Sequence, residues 1–245
     1  NSDGKLTTIY FGSGNYYLNQ NHNGDLIKFT DDVILLGSNY DISAIDPQAS
    51  QWYVAGRKPE SVINGGFYFE KQGNINVTVK GFKFQGQSAE GAIRLHDSTN
   101  VNSGYDEIMK HIQNVNIQNN VFVSSIDVTN KNTGRGIIWA NSQAQVTGLI
   151  KDNYFRCVQD STQKRNTASG NNNHRYNTVA AYFNNLNDLL IERNCFVGYE
   201  ICLYTQDVKQ ADNLTTSTSF TVYANRFDHC GANSNYLYGV GANDK

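Results

Sequence analysis

Apolar and polar residues alternate along this chain in short runs, and one eight-residue pattern returns. It reads Val115-Asn116-Ile117-Gln118-Asn119-Asn120-Val121-Phe122, then Gly148-Leu149-Ile150-Lys151-Asp152-Asn153-Tyr154-Phe155. It returns as Leu189-Leu190-Ile191-Glu192-Arg193-Asn194-Cys195-Phe196 and as Phe220-Thr221-Val222-Tyr223-Ala224-Asn225-Arg226-Phe227. An earlier, degenerate copy is Val77-Thr78-Val79-Lys80-Gly81-Phe82-Lys83-Phe84, with Phe82 in the Asn place. The closing Phe recurs after 38, 33, 41 and 31 residues, a spacing typical of stacked repeats. The period of two predicts strands, with Val115/Ile117 and Leu189/Ile191 on one face and Asn116/Gln118 and Leu190/Glu192 on the other.

The rest of each repeat fits three strands. The first half of the pattern is one strand, and a turn at the Asn leads to a short strand holding the Phe. A variable loop follows, then a third strand at Ala92–Asp97, Gly136–Asn141, Thr178–Asn184, Glu200–Gln206 and Tyr236–Val240. Earlier β runs are expected at Thr7–Phe11, Tyr16–Leu18, Leu26–Phe29 and Val33–Leu36, punctuated by Gly12, Gly14, Gly24 and Gly37. Residues 41–60 break the rhythm with Asp46-Pro47 and Lys58-Pro59 and read as an irregular insertion.

Three strands per turn, an Asn at the turn and an inward aromatic after it resemble the right-handed parallel β-helix of the pectate-lyase-like superfamily. The stretch Thr8-Ile9-Tyr10-Phe11-Gly12-Ser13-Gly14-Asn15-Tyr16-Tyr17-Leu18 is similar to the first coil of such proteins. The resemblance spans about residues 5–240 and implies an all-β, three-sheet solenoid of about six to seven coils, read as a single domain over 1–245. Coils stacked at ~4.8 Å would let Asn120, Asn153, Asn194 and Asn225 hydrogen-bond along the axis. Phe84, Phe122, Phe155, Phe196 and Phe227 would stack inside.

Composition agrees with a turn-rich β chain: 33 Asn, 21 Gly and only two Pro in 245 residues. The net charge of −2 supplies no global field toward nucleic acid, and no apolar run reaches the ~18 residues of a membrane helix. Neither nucleic-acid binding nor membrane insertion is therefore expected. The first residue is not Met, and the last expected strand has no repeat after it, so the chain reads as mature, trimmed or part of a longer protein. Oligomeric state leaves no mark on the sequence. Cys157, Cys195, Cys202 and Cys230 lack metal-cluster spacing. The repeat places Cys157 and Cys230 two coils apart, beyond bridging distance, and all four are expected as packing thiols.

Candidate chemistry lies on the third strands. With Ile138/Ala140, Ala181/Phe183 and Leu203/Thr205 facing in, the outward file reads His96, Trp139, Tyr182, Tyr204 and Tyr238. Ser98, Asn141, Asn184 and Gln206 run beside it. Exposed rings flanked by amides suit a polysaccharide: ring faces cover sugar C–H surfaces and amides bind hydroxyls. An aromatic ladder covered by a loop or a partner would give the same pattern.

The long loop 156–176 carries Arg156, Lys164, Arg165, His174 and Arg175 against Asp160, which suits an acidic glycan or, equally, a solvated loop. β-Elimination on a uronate polymer needs cations or a metal at the carboxylate and a base at C5. Arg135, Lys164, Arg165, His174, Arg175 and Tyr182 are the catalytic candidates. Calcium is the one cofactor considered, with Asp97-Ser98-Thr99-Asn100 as a weak ligand set. The pectate-lyase calcium carboxylates and catalytic Arg have no counterpart here.

Hydrolysis needs two carboxyls ~5–9.5 Å apart, whereas Asp97 and Glu200 fall three coils, ~14 Å, apart. The resulting expectation is an extracellular, secreted or surface-displayed β-helix that recognises polysaccharide. It is either a lyase-type enzyme or a non-catalytic module of the adhesin or phage-tailspike kind.

Overall fold

The computed structural model describes residues 6–18, 26–86, 91–100, 108, 110–125, 136–140, 144–158, 179–199, 201–205, 219–228 and 230. Three short strands form each coil. The first coil is β1 (Thr7–Tyr10), β2 (Gly14–Tyr17) and β3 (Leu26–Phe29), and the second is β4 (Val33–Leu36), β5 (Ser61–Asn64) and β6 (Gly66–Lys71). The third is β7 (Ile75–Lys80), β8 (Phe82–Gln85) and β9 (Ile93–Asp97). The fourth is β10 (Ile112–Gln118), β11 (Val121–Ser125) and β12 (Gly136–Ala140). β13 (Gln145–Lys151), β14 (Tyr154–Val158) and β15 (Val179–Phe183) make the fifth. β16 (Leu186–Glu192), β17 (Cys195–Val197) and β18 (Ile201–Thr205) make the sixth, and β19 (Phe220–Tyr223) and β20 (Arg226–Asp228) begin a seventh.

Each strand from β1 to β17 pairs in parallel with the strand three places on, giving two sheets of seven strands and one of six among the described residues. This is the right-handed parallel β-helix expected from the repeat. The third strands fall within a residue or two of their expected bounds, except Tyr236–Val240, which lies outside the described residues.

The core is the inward half of each strand. In sheet one Val77, Val115 and Leu189 are buried beside Val79, Ile117, Ile150 and Ile191. In sheet two Phe84, Phe122, Phe155, Phe196 and Phe227 stack, with centroids 4.6–5.3 Å apart and ring planes within 13° of parallel. The four buried rings, Phe84 to Phe196, each bury roughly 150–250 Å², whereas Phe227 on the last described coil is exposed.

Between sheets one and two the third to seventh coils turn in one or two residues. The first adopts positive φ at Gly81, Asn119, Asp152, Arg193 and Ala224. The second is the ladder Asn. The Oδ1 of Asn153 accepts the backbone N–H of Asn120 at 3.0 Å and its side-chain amide at 3.1 Å. The Nδ2 of Asn153 donates back to Ile117 O at 2.9 Å and on to Asn194 Oδ1 at 2.9 Å. Asn120 and Asn194 repeat this arrangement, and Asn225 accepts from Asn194 and returns a bond to Ile191 O. Phe82, in the Asn place of the degenerate repeat, ends the ladder by donating its N–H to Asn120 Oδ1 at 3.0 Å.

The 41–60 insertion is a strap over the outer face of sheet two. It holds an antiparallel bridge, Ile45 to Tyr53, and a short 3-10 turn at Ala55–Arg57. Ala44 and Ile45 pack on Val121, Tyr154 and Cys195, and the rings of Tyr53 and Tyr154 stack at 4.2 Å. Its base is fixed at the turn column, where Asn119 Nδ2 donates to Tyr40 O at 2.8 Å. Gly81 is required beneath it, because a Cβ there would lie 2.5 Å from the Tyr40 Cα.

One inward position breaks the pattern. Gln113 sits between Ile75 and Val146 in sheet one, fully buried, and neither amide atom has a hydrogen-bond partner. Gln113→Leu is therefore expected to raise stability by about 1–3 kcal/mol in urea unfolding, since it removes two unsatisfied buried groups. Asn153→Ala is expected to cost about 3–5 kcal/mol in the same measurement, because it strands the Asn120 N–H and the Ile117 carbonyl. A loss as small as that of the exposed Asn114→Ala variant would contradict the ladder's role.

Candidate functional site

The three outer walls of the coil differ. Sheet two is covered by the strap. Sheet one presents polar residues whose charges are partly neutralised, as expected for Lys151 and Glu192, which pair at 2.9 Å. Sheet three carries the aromatic file.

Its register is set by the interior. Phe67, Ile93, Ile138, Ala181 and Leu203 align as one inward column. The outward column one residue on is Lys28, Tyr68, Arg94, Trp139, Tyr182 and Tyr204. This corrects the sequence expectation at one place: His96 is not opposite Trp139. Arg94 is, and His96 lies in the next outward column, across from Glu70. A slip of two residues keeps every side chain on its own face, so alternation alone does not detect it.

Cations and rings interleave in the first four of these coils. The Arg94 guanidinium carbon lies 4.5 Å from the centre of the Tyr68 ring and 4.6 Å from that of Trp139. Lys28 lies 5.8 Å from the Tyr68 ring centre and also pairs with Glu70. The Lys28 bond holds the Glu70 carboxyl below its ordinary range, against a smaller opposing effect of burial. His96 stands 6.4 Å from Tyr68 between centroids, and its Nδ1 is buried with no hydrogen-bond partner.

The upper part of the file is aromatic. Tyr182 and Tyr204 stack at 5.0 Å with planes 7° apart, and both are half-buried. Trp139 faces out of the sheet but is only 1% exposed, so its expected exposure is also corrected. This geometry changes what the file can do. The facing surfaces of Tyr182 and Tyr204 are closed by each other, and those of Tyr68 and Trp139 by Arg94. A chain lying along this stretch would meet ring edges and cations rather than open ring faces.

Of the other expected site residues, Asn184 is half-buried at the end of β15, its backbone N–H bonded to Ala140 O at 3.1 Å. Asn141, Gln206 and Tyr238 lie outside the described residues, as do Arg135, Lys164, Arg165, His174 and Arg175. The structure therefore brings Tyr182 and Tyr204 together and adds Lys28, Tyr68, Glu70 and Arg94. Lys28 and Tyr68 stand at the outward parity of their own strands, which is the signal that would have found them.

Asp97 does not stand ready for calcium. It is buried at the corner between sheets three and one, where Oδ2 bonds His111 Nδ1 at 2.7 Å. Its Oδ1 accepts from the Thr99 N–H and hydroxyl at 2.8 and 2.6 Å and from Gly73 N–H at 3.2 Å. Among the described residues no three His, Cys, Asp or Glu side chains converge on a metal position.

Burial alone would raise the Asp97 pKa, but these hydrogen bonds outweigh it and hold the carboxyl below its ordinary value. The sign follows. The stabilisation is present above the unfolded carboxylate range of about 3.9 and is lost as pH falls through the depressed folded value. Asp97→Asn is expected to lower Tm at pH 7 and to flatten the fall in Tm between pH 5 and pH 3, followed by circular dichroism. A variant with an unchanged pH profile would count against the corner clasp.

No protein-family model, curated protein or solved structure matches this chain.

Proposed function

We propose that this β-helix recognises an acidic polysaccharide, outside the cell, along the outer wall of sheet three. One observation carries the reading. Cations and aromatic rings repeat coil by coil in a single file, Lys28-Tyr68-Arg94-Trp139-Tyr182-Tyr204, on the wall that the strap leaves uncovered. A polymer of repeating anionic units is the ligand whose charge spacing such a ladder can follow. Guanidinium and ammonium groups pair with its carboxylates, and ring edges and amides meet its hydroxyls.

Two forms of this function lead to different chemistry. In the first the wall is one side of a lyase cleft, where cations neutralise a uronate carboxylate and a base removes the neighbouring proton. His96 is the imidazole on this wall, across from Glu70, with its Nδ1 buried and without a hydrogen-bond partner. Tyr182, Arg135, Lys164, Arg165, His174 and Arg175 are the further candidates, and calcium could bridge substrate carboxylates. In the second form the same wall only holds the glycan, as an adhesin or tailspike module would.

Incubation with polygalacturonate, alginate and a neutral glucan, with and without calcium, separates the outcomes. Retention of the acidic polymers but not the glucan is expected, with weaker retention at high salt. Ultraviolet absorbance of unsaturated product would mark the lyase form. Arg94→Gln is expected to weaken retention about tenfold, the effect of losing ~1.4 kcal/mol. Equal retention of the neutral glucan, or no retention of any polymer, would sink the reading.

A further inference from the structure

The first coil is paired on one side. β1 joins β4, β2 joins β5 and β3 joins β6, and each first-coil strand stands at the edge of its sheet among the described residues. Three strand edges therefore surround one cross-section of the core. Ile9, Phe11, Tyr16, Leu18, Ile27 and Phe29 lie on it, packed against the core yet only half-buried. One coil on, the residues in register with four of them, Leu35, Ile63, Phe67 and Phe69, are fully buried. The backbone is directional in the same way. The Phe11 N–H donates to Leu36 O at 2.8 Å, and those of Gly14 and Leu18 donate to Glu60 O and Asn64 O at 3.0 and 3.3 Å. Alternation along a parallel ladder then turns the N–H groups of Thr8, Tyr10, Asn15 and Tyr17 the other way, toward the edge.

Features that blunt a strand edge are sparse here. β1, β2 and β3 contain no proline, and their single charge, Lys28, is paired with Glu70. Apolar side chains are exposed at the same pole. Tyr10 and Tyr17 are each 70% exposed, and the Tyr10 ring lies 6.4 Å from that of Tyr40. We propose that this first coil is a docking surface for a second copy of the chain, joined coil to coil about a two-fold axis. The inference is independent of the glycan reading.

The geometry selects the occupant. It has to present three strand edges around an apolar cross-section of the same shape, and the first coil of another copy does so by construction. A two-fold axis across the coil, through the middle of one strand, sets that strand antiparallel to its own copy. It also sets each of the other two strands antiparallel to the copy of the other. β1, β2 and β3 each have four residues, so every edge meets one of equal length. Such a contact uses the same surface on both partners and closes at two chains. A single extended peptide would cover one edge and leave the rest of the cross-section in water.

The test uses the whole chain. Sedimentation equilibrium from micromolar to near-millimolar protein is expected to show a reversible shift from the mass of one chain to that of two. Asn15→Pro removes an N–H that points to the edge and away from β5. It should keep the circular dichroism spectrum and raise the dimer dissociation constant about tenfold or more. Tyr17→Lys, which puts a charge on an exposed side chain of the same edge, should weaken the dimer likewise. Tyr223→Lys, exposed at the far end of the stack, should leave association unchanged. The mass of one chain at every concentration would overturn the proposal and leave the edge to another part of the chain. A dimer indifferent to both Asn15→Pro and Tyr17→Lys, a dimer dissolved by Tyr223→Lys, or growth beyond two chains by head-to-tail stacking would each overturn it as well.

Discussion

The solenoid depends on an amide that has to be buried. From the third coil on, the chain turns from sheet one to sheet two in only one or two residues, and such a tight corner points backbone N–H and C=O groups into a space that water does not reach. A side chain must satisfy them. Asn does so with one carbonyl and one NH₂. The Asn153 oxygen takes both the backbone and the side-chain N–H of Asn120, and its nitrogen serves Ile117 below and Asn194 above. Most bonds of the ladder run to the next coil or the last one, with Asn194 and Asn225 each adding one to a carbonyl two residues back, so the corners are satisfied chiefly between coils. The ladder ties the stack into one unit, and the phenylalanines two residues later are thereby held in file.

That constraint distributes freedom unevenly over the three walls. At the turn column the residue before each Asn must take positive φ, and this is where the 41–60 strap gains its foothold, at Gly81 and Asn119. Once rooted there, the strap covers the apolar outer positions of sheet two, Val121, Tyr154 and Cys195. Sheet one presents polar side chains and ion pairs. Sheet three, farthest from the ladder, is left with the cation–aromatic file.

Within the file, stacking both builds and limits the surface. Coils a few ångströms apart bring outward rings into contact with each other or with an inserted guanidinium, as in Tyr68, Arg94 and Trp139. The contacts stiffen the wall, each worth about 0.5–2 kcal/mol. They also consume the ring faces, so recognition along this stretch falls to charges and edges, which is why the proposed ligand is an anionic polymer.

Much of this was legible in the chain. The alternating Val115/Ile117 and Leu189/Ile191 pairs, the Asn and the Phe after it determined strands, sheet order and both ladders. These are local patterns repeated under one geometric rule, and repetition lets a sequence report its own stacking. The facing of Tyr182 and Tyr204 was legible for the same reason. Register on the third sheet was not. A two-residue shift leaves alternation intact, so only the packing of Ile93 under Ile138 decided that Arg94, and not His96, meets Trp139. Nor could the sequence say that the 41–60 segment closes over sheet two or that Trp139 is covered. The strap is a contact between parts of the chain that share no repeat phase, and only the folded coil brings them together.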